Sequence, residues 1–401
     1  MQHVPSKPIS AKPRSRSARG SQWDAFVFLE VFDNEGGIQT YNQNLLTAYA
    51  CVAEPNRQGR VWILRDRPMA KPPIGEGRLE FNCFGGAKSR AIGRLQMLAS
   101  LAWNLWIAPP RQVFCGHINL VQAIAWICQV RRIPYTVLTH GKEVWDPLSP
   151  PARRALQRAD ALWIVSRYSR DRASQANQLN PDRVDLMPCP VDGTVFRPGP
   201  KPPELLAQYG LADCKVLMTV ARLWPGDRYK GVDVTIRALP LIARAVPNVK
   251  YLVIGRGEDR PRLEALACEM GVGDRVVFAG FVATEALPDF YRAADLYVMP
   301  SQEGFGIAYL EAMATGVPVI SGDDDGSADP LQDGRLGWRV PHRDSEAVAR
   351  AAIAALTTRG DRRCDGAWLR QEALGLFGVD AFRDRLHQLL NRSPQRGPRK
   401  P

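Results

Sequence analysis

The sequence predicts an α/β protein built from two doubly wound domains, each around a parallel sheet. Three observations carry this. Short apolar runs alternate with helical patterns along the whole chain, as strand–helix–strand units require. The 401 residues exceed what one hydrophobic core usually serves. The Pro-rich stretch Phe196–Pro203 (FRPGPKPP) divides the apolar runs into two sets and reads as a linker.

In chain order, residues 1–20 contain Lys7, Lys12, Arg14, Arg16 and Arg19 and no acid. They read as a basic, disordered tail. A first domain spans 21–198, with strand signals at Phe26–Phe32, Val61–Leu64, Val113–Cys115, Tyr135–His140, Leu162–Ser166 and Val184–Met187. A second spans 199–365, with signals at Val216–Val220, Tyr251–Ile254, Val276–Phe278, Leu296–Met299, Val317–Ile320 and Trp338–Val340. One helix over 366–390 follows the last strand signal. Residues 391–401 carry Arg392, Arg396, Arg399 and Lys400 without an acid and form a second basic tail.

Composition bounds the function. The two tails hold nine of the twelve net positive charges, so the body is nearly neutral. That excludes a nucleic-acid-binding body and leaves the tails as solvated segments or as contacts to an anionic surface. No run of 18 apolar residues occurs, and the first residues lack the apolar stretch of a secretion signal. The expected location is cytoplasmic, free or peripheral on the inner face of the cytoplasmic membrane. Eight cysteines without a CxxC pair read as reduced thiols rather than disulfides or a zinc site.

Three strand ends of the second half carry chemistry, because ligands of such sheets bind past the carboxyl ends of strands. Arg222 closes one strand and Lys230 follows eight residues later, before a helix. The pair suits a diphosphate, and reads equally as two ordinary loop cations. Gly255 and Gly257 form a strand-to-helix turn without the third glycine of a dinucleotide fingerprint. Glu303 and Glu311, eight apart, flank Gly304 and Gly306 at a helix start. Glycines and free helix amides suit phosphate, whereas two carboxylates suit hydroxyl groups. The segment therefore reads as a pocket for a sugar joined to a nucleoside diphosphate.

Together these segments resemble the retaining glycosyltransferases of family 4. The resemblance implies the GT-B fold: two Rossmann-like domains facing a cleft, with the C-terminal helix packing back toward the first. It places Glu303 on the transferred sugar, the amides of Phe305, Gly306 and Ile307 by the diphosphate, and Glu311 on the ribose. Arg222 and Lys230 fall on the family's phosphate ligands. The turn at Gly255 and Gly257, with the Phe278–Val282 segment and its Phe281, falls where the base sits. Gly36 and Gly37, after Glu35, resemble the family's glycine loop. His140 falls on a histidine lining the reaction centre, supported by Glu143, and His117 lies near the cleft. The implied reaction moves a hexose from a nucleotide diphosphate sugar to a glycan or lipid-linked acceptor in polysaccharide assembly. It needs neither cofactor nor metal. An epimerase of the same architecture and a non-catalytic nucleotide-sugar-binding protein are the alternatives.

The chain departs from the family at Pro188–Asp192, which reads Pro-Cys-Pro-Val-Asp, and at the acidic segment Gly322–Pro330. There Asp323, Asp324 and Asp325 read as a polar loop rather than a metal cluster. Finally, Lys88–Ile107 reads as a helix with an apolar stripe at Ala91, Leu95, Leu98, Ala102 and Leu105, a cationic start and two tryptophans, Trp103 and Trp106. Such a helix lies in a membrane surface or packs into a core.

Overall fold

The computed structural model describes residues 23–34, 36–69, 73–75 and 77–392. Glu35, residues 1–22 and residues 393–401 lie outside them, and so do the basic tails apart from Asn391 and Arg392.

Two parallel sheets form. The first has strands β1 (Trp23–Phe28), β2 (Gln58–Ile63), β3 (Leu79–Cys83), β4 (Val113–Cys115), β5 (Tyr135–Thr139), β6 (Ala161–Ile164) and β7 (Val184–Leu186). The second has β8 (Lys215–Val220), β9 (Val249–Ile254), β10 (Val276–Gly280), β11 (Leu296–Met299), β12 (Val319–Gly322) and β13 (Trp338–Val340). Their spatial orders are β3-β2-β1-β4-β5-β6-β7 and β10-β9-β8-β11-β12-β13. Each order reverses once, between β1 and β4 and between β8 and β11. Those are the crevices where such sheets bind ligands.

The strands read as near-continuous apolar runs because both faces are covered. In β1, Ala25 and Val27 pack with helix α2 (Arg90–Ile107) and helix α3 (Val121–Arg131), while Phe26 and Phe28 pack with helix α1 (Gly37–Val52). In β8, Leu217 faces the helices Val232–Ala245 and Ser345–Thr357, while Val216 and Met218 face Tyr291 and Leu310.

The structure corrects three expectations. The strand expected over Phe26–Phe32 stops at Phe28, because Asp66 accepts the N–H groups of Val31 (3.0 Å) and Phe32 (2.7 Å) and draws the chain into a loop. The single helix expected over 366–390 is two, Gly366–Phe377 and Val379–Asn391. Gly378 breaks it: Phe377 packs on Phe305, and its carbonyl accepts the N–H of Val191 at 2.8 Å. The second of these helices lies on the first domain. Phe382 meets Tyr41 at 6.0 Å, and Arg392 pairs with Asp185 at 2.5 Å. In α2 the buried stripe is Gly93, Met97, Leu101 and Leu105, so Leu95 of the expected stripe is 70% exposed.

Of the eight free cysteines, Cys51 and Cys268 are exposed. Among the described residues no helix is long and apolar enough to cross a membrane.

Candidate active site

The cleft wall of the second domain is built at the β8–β11 crevice. Past β8, the short turn Pro225–Lys230 ends at Gly231, whose φ of 76° suits glycine. A Cβ there would sit 2.6 Å from the Pro300 carbonyl. The missing side chain lets Lys230 lie beside the loop that follows β11, where it forms an ion pair with Glu303. Both side chains are mostly buried, at 20% and 16% exposure, so the pair is screened far less than a surface one. Arg222 is different: its side chain is 77% exposed and pairs with Asp227 at 2.9 Å.

Asp325 fixes the Glu303 loop. Its carboxylate accepts the N–H of Glu303 at 2.7 Å, the N–H of Ser327 at 2.9 Å and the Ser327 hydroxyl. In return Gly326 donates its N–H to the Glu303 carbonyl at 2.8 Å. Burial pushes the Asp325 carboxyl up to about 7 against these bonds. The polar loop expected at 323–325 thus contains one fully buried acid. Among the described residues no acidic, His or Cys group has the arrangement of a metal site.

Beyond Glu303, Gly306 (φ 93°) opens the helix Ile307–Thr315. Phe305 turns its ring inward to Phe377, leaving the backbone at the cleft. Glu311 lies one turn into the helix and accepts the hydroxyl of buried Tyr291 at 2.6 Å. Burial raises its carboxyl to about 7. At the edge of the same wall, Gly255 and Gly257 allow the turn to press against β8. A Cβ on either would clash with the Ala221 or Leu223 carbonyl at 1.8 or 2.0 Å. Phe281 is 51% exposed and stacks under Arg256 at 4.7 Å.

The first domain supplies the facing wall. Gly36 and Gly37 start α1, and a Cβ on Gly37 would be 3.8 Å from Ile307 Cδ1. That glycine loop therefore faces the start of the 307–315 helix. His140 follows β5 and its N–H donates to Glu143. The ring stands edge-on to Tyr41 at 5.0 Å, and its Nε2 is buried without a partner. Burial lowers its pKa, opposed by Glu143 and by the Gly116 backbone, so the ring is neutral at pH 7. His117 is also lowered by burial and feels the charges of Glu143, His140, Arg65 and Glu30.

The walls touch through glycine. A Cβ on Gly141 would come within 2.9 Å of Gly304 Cα, and one on Gly304 within 2.4 Å of the His140 carbonyl. Ser166 and Ser169 donate their hydroxyls to the Gly304 carbonyl at 2.5 and 3.1 Å. Arg167 clamps Asp329 (2.5 Å) and Asp333 (3.0 Å) across the cleft.

The structure thus brings Gly37, His140, Lys230, Glu303 and Ile307 to one cleft, with Glu311 behind and Arg222 and Phe281 at its open edge. Sequence reasoning missed Lys142, Tyr229 and Asp325. Lys142 sits in the same LTHGKEVW segment as His140. Its ammonium lies 2.9 Å from the centroid of Tyr229, reaching the other domain's cationic loop. Burial lowers its pKa, Lys230 lowers it further, and Glu303 and Asp227 oppose this. The signal for Asp325 was the acidic segment Gly322–Pro330, where the chain departs from the family pattern.

Comparison with known proteins places the chain among relatives. Residues 214–358 match the family described as "Glycosyl transferases group 1". A GDP-mannose-dependent alpha-(1-6)-phosphatidylinositol monomannoside mannosyltransferase of Mycolicibacterium smegmatis is 37% identical over 227 residues, 53% of this chain and 58% of that protein. The protein of the same name from Mycobacterium tuberculosis (strain CDC 1551 / Oshkosh) is 34% identical over 266 residues, 63% of this chain and 68% of that one. Among solved structures, Anabaena Alr3699/HepE in complex with UDP and glucose superimposes with a TM-score of 0.75 at 19% identity, covering 92% of this chain and 99% of its own. At that identity the likeness is one of fold.

Proposed function

The chain belongs to the group 1 glycosyltransferases, family 4, and from that membership we propose that it moves a hexose from a nucleotide diphosphate sugar to a glycan or lipid-linked acceptor, with retention at the anomeric carbon. The observation that carries this reading is the Lys230–Glu303 pair at the β8–β11 crevice, beside a glycine-opened helix start. A diphosphate takes Lys230, the start of the 307–315 helix and, at the open edge, Arg222. The hydroxyls of the sugar take Glu303, and those of the ribose take Glu311. The base rests near Gly255, Gly257 and Phe281.

In the transfer, the bond between the anomeric carbon and the diphosphate oxygen breaks. The acceptor oxygen bonds to that carbon on the same face, and its proton passes to the departing phosphate. Charge grows on the leaving diphosphate, and Lys230 with the helix amides stabilises it there. These groups take the role that a metal plays in other transferases, so no metal or cofactor is required in this reading. His140, neutral and with a free Nε2, orients a hydroxyl at the centre, and Gly36 and Gly37 let the donor approach the first domain. The close approach of Gly141 to Gly304 and the Ser166 and Ser169 bonds to the Gly304 carbonyl close the cleft and keep water from the glycosyl donor.

The acceptor side faces the membrane surface in this reading. Leu95, Trp103 and Trp106 on α2 and Trp126 on α3 are all more than 60% exposed, an arrangement suited to the interface of an anionic bilayer.

A thermal-shift screen with UDP-, GDP- and ADP-sugars tests donor use. Release of nucleoside diphosphate with an acceptor, and the anomeric configuration of the product by NMR, test transfer and retention. A protein stabilised by none of these donors would refute the reading. Interconversion of donor sugars without nucleotide release would point to an epimerase.

A further inference from the structure

We propose that a cavity in the first domain, beside the cleft, is a subsite for a phosphoryl group carried by the acceptor. This rests on the reading of the first domain as the acceptor side. The cavity is about 790 Å³, within the usual range of small-ligand sites. The ends of β1, β2 and β3 and the first turns of α2 wall it.

Its charge is unbalanced. Arg65, Arg90 and Arg94 line it against one carboxylate, Glu30. That carboxylate is already engaged by Arg65 at 2.7 Å, Gln39 at 3.1 Å and Asn34 at 3.3 Å. Burial raises the Glu30 carboxyl, but these bonds outweigh it and hold the group below its ordinary range. Arg94 gives one hydrogen bond, to the Asn119 carbonyl at 3.2 Å. Among the described residues neither Arg90 nor Arg94 has a carboxylate partner. Arginines spread over a surface are ordinary. Two guanidiniums without a carboxylate, lining one concavity, suit an anion, and their planar forks fit phosphate oxygens.

Position gives the site its role. Glu30 accepts from Gln39 in the first turn of α1, next to Gly36 and Gly37, and the lining residue Asn119 donates its N–H to His117 Nδ1 at 3.1 Å. The cavity therefore adjoins the reaction centre, and a phosphoryl group held in it leaves a nearby hydroxyl of the same molecule within the cleft. The lining also includes apolar Leu64, Phe84 and Leu98 and reaches exposed Leu95. The exposed stripe of Ile92, Trp103 and Trp106 continues from there. A phosphorylated lipid headgroup fits this lining; a free phosphorylated sugar or polyol shares the chemistry of the anion site alone.

The experiment uses the full chain with a nucleoside diphosphate present to fill the donor site. Two pairs of substitutions are compared: Arg90→Gln with Arg94→Gln in the cavity, and Arg153→Gln with Arg154→Gln elsewhere on the first domain. Glycerol 3-phosphate, with glycerol as its control, is titrated by calorimetry. Phosphatidylglycerol–phosphatidylcholine vesicles are tested by flotation at physiological salt. The expected result is a loss of about tenfold or more in affinity for at least one phosphorylated probe in the cavity variant, and none in the other. Loss for glycerol 3-phosphate marks a soluble phosphorylated acceptor; loss for vesicles alone marks a lipid headgroup. If the cavity variant binds both probes like the wild type, or if neither probe weakens more in the cavity variant than in the other, the subsite is refuted. Stabilisation by the nucleoside diphosphate is read in parallel. Its absence from the wild type would count against the donor site, separately from the outcome at the cavity.

Discussion

Replacing Glu311 with glutamine separates what this residue costs the empty protein from what it contributes to the donor complex. Burial lifts its carboxyl from 4.5 to about 7, with Tyr291 donating to it at 2.6 Å. A carboxyl whose folded pKa lies above its unfolded value favours the protonated fold. Its contribution to stability is full below 4.5 and is lost as pH rises through 7. The span corresponds to on the order of 3 kcal/mol at pH 8. The Glu311→Gln protein lacks this ionisation cost. Without ligand it is expected to unfold at higher temperature than the wild type at pH 8, and at a similar temperature near pH 4.5.

Donor binding should move the other way. In the proposed site the ribose hydroxyls donate to an ionised Glu311 more strongly than they would to a neutral group, by about 1.5–3 kcal/mol for a bond to a charged acceptor. The diphosphate of a nucleotide sugar stays ionised across this range, so the pH dependence comes from the protein. Wild-type affinity, measured by calorimetry from pH 5.5 to 8.5, should rise by up to about tenfold per unit below pH 7 and then level off. The glutamine variant should show no such rise and should bind roughly ten- to a hundredfold more weakly at pH 8. A flat wild-type profile would refute the argument, as would a variant that is both destabilised and tight-binding at pH 8.

Other outcomes follow from the same cleft. Lys230→Ala should lower kcat by roughly a hundred- to a thousandfold with an unchanged circular dichroism spectrum; near-wild-type turnover would remove Lys230 from the site. Asp325→Asn presents an amide donor to the Glu303 N–H or to Ser327, so it should misplace the Glu303 loop and lower turnover; full activity would show that the loop holds without Asp325. Glu303→Gln should bind inorganic pyrophosphate more tightly than the wild type while losing transfer, measured by competition against the nucleotide sugar. Trp103→Ser with Trp106→Ser should abolish flotation with anionic vesicles but leave the melting temperature nearly unchanged, because the two rings are 66% and 61% exposed.

The crevice was legible in the sequence because strand ends announce themselves there. Apolar runs stop at Val220 and Met299 and give way at once to charged residues and glycine. The elements that escaped did so for physical reasons. Strand β3 (Leu79–Cys83) contains Glu80 and Asn82 and lies half-exposed at the sheet edge, so no apolar run marks it. Two apolar stripes compete on α2 and share Leu105. The choice is made by partners distant in sequence: Trp62 donates to Ser100 Oγ at 3.1 Å, and Arg60 to Asn104 Oδ1 at 3.1 Å. Gly378 reads as a tolerable helix glycine until Phe305 and Val191, far away in the chain, claim Phe377. Lys142 likewise gains meaning only when the fold sets it over Tyr229.

The pairing of Lys230 with Glu303 explains how a cationic cleft selects nucleotide sugars from the abundant phosphates around them. In the unliganded cleft neither charge is alone, and each is mostly shielded from water. A bare phosphate or pyrophosphate that takes Lys230 strips Glu303 of its partner and brings it another negative charge, leaving a largely desolvated carboxylate uncompensated. A nucleotide sugar brings a phosphate for Lys230 and hydroxyl donors for Glu303, so both charges are satisfied again. Discrimination then comes from the cost imposed on the wrong ligand as much as from attraction to the right one. Arg222 is itself well solvated, but its partner Asp227 is buried, so opening that pair also leaves a desolvated carboxylate. The same logic gives the expected gain in pyrophosphate binding by Glu303→Gln: the amide removes the unpaired charge, and with it the penalty.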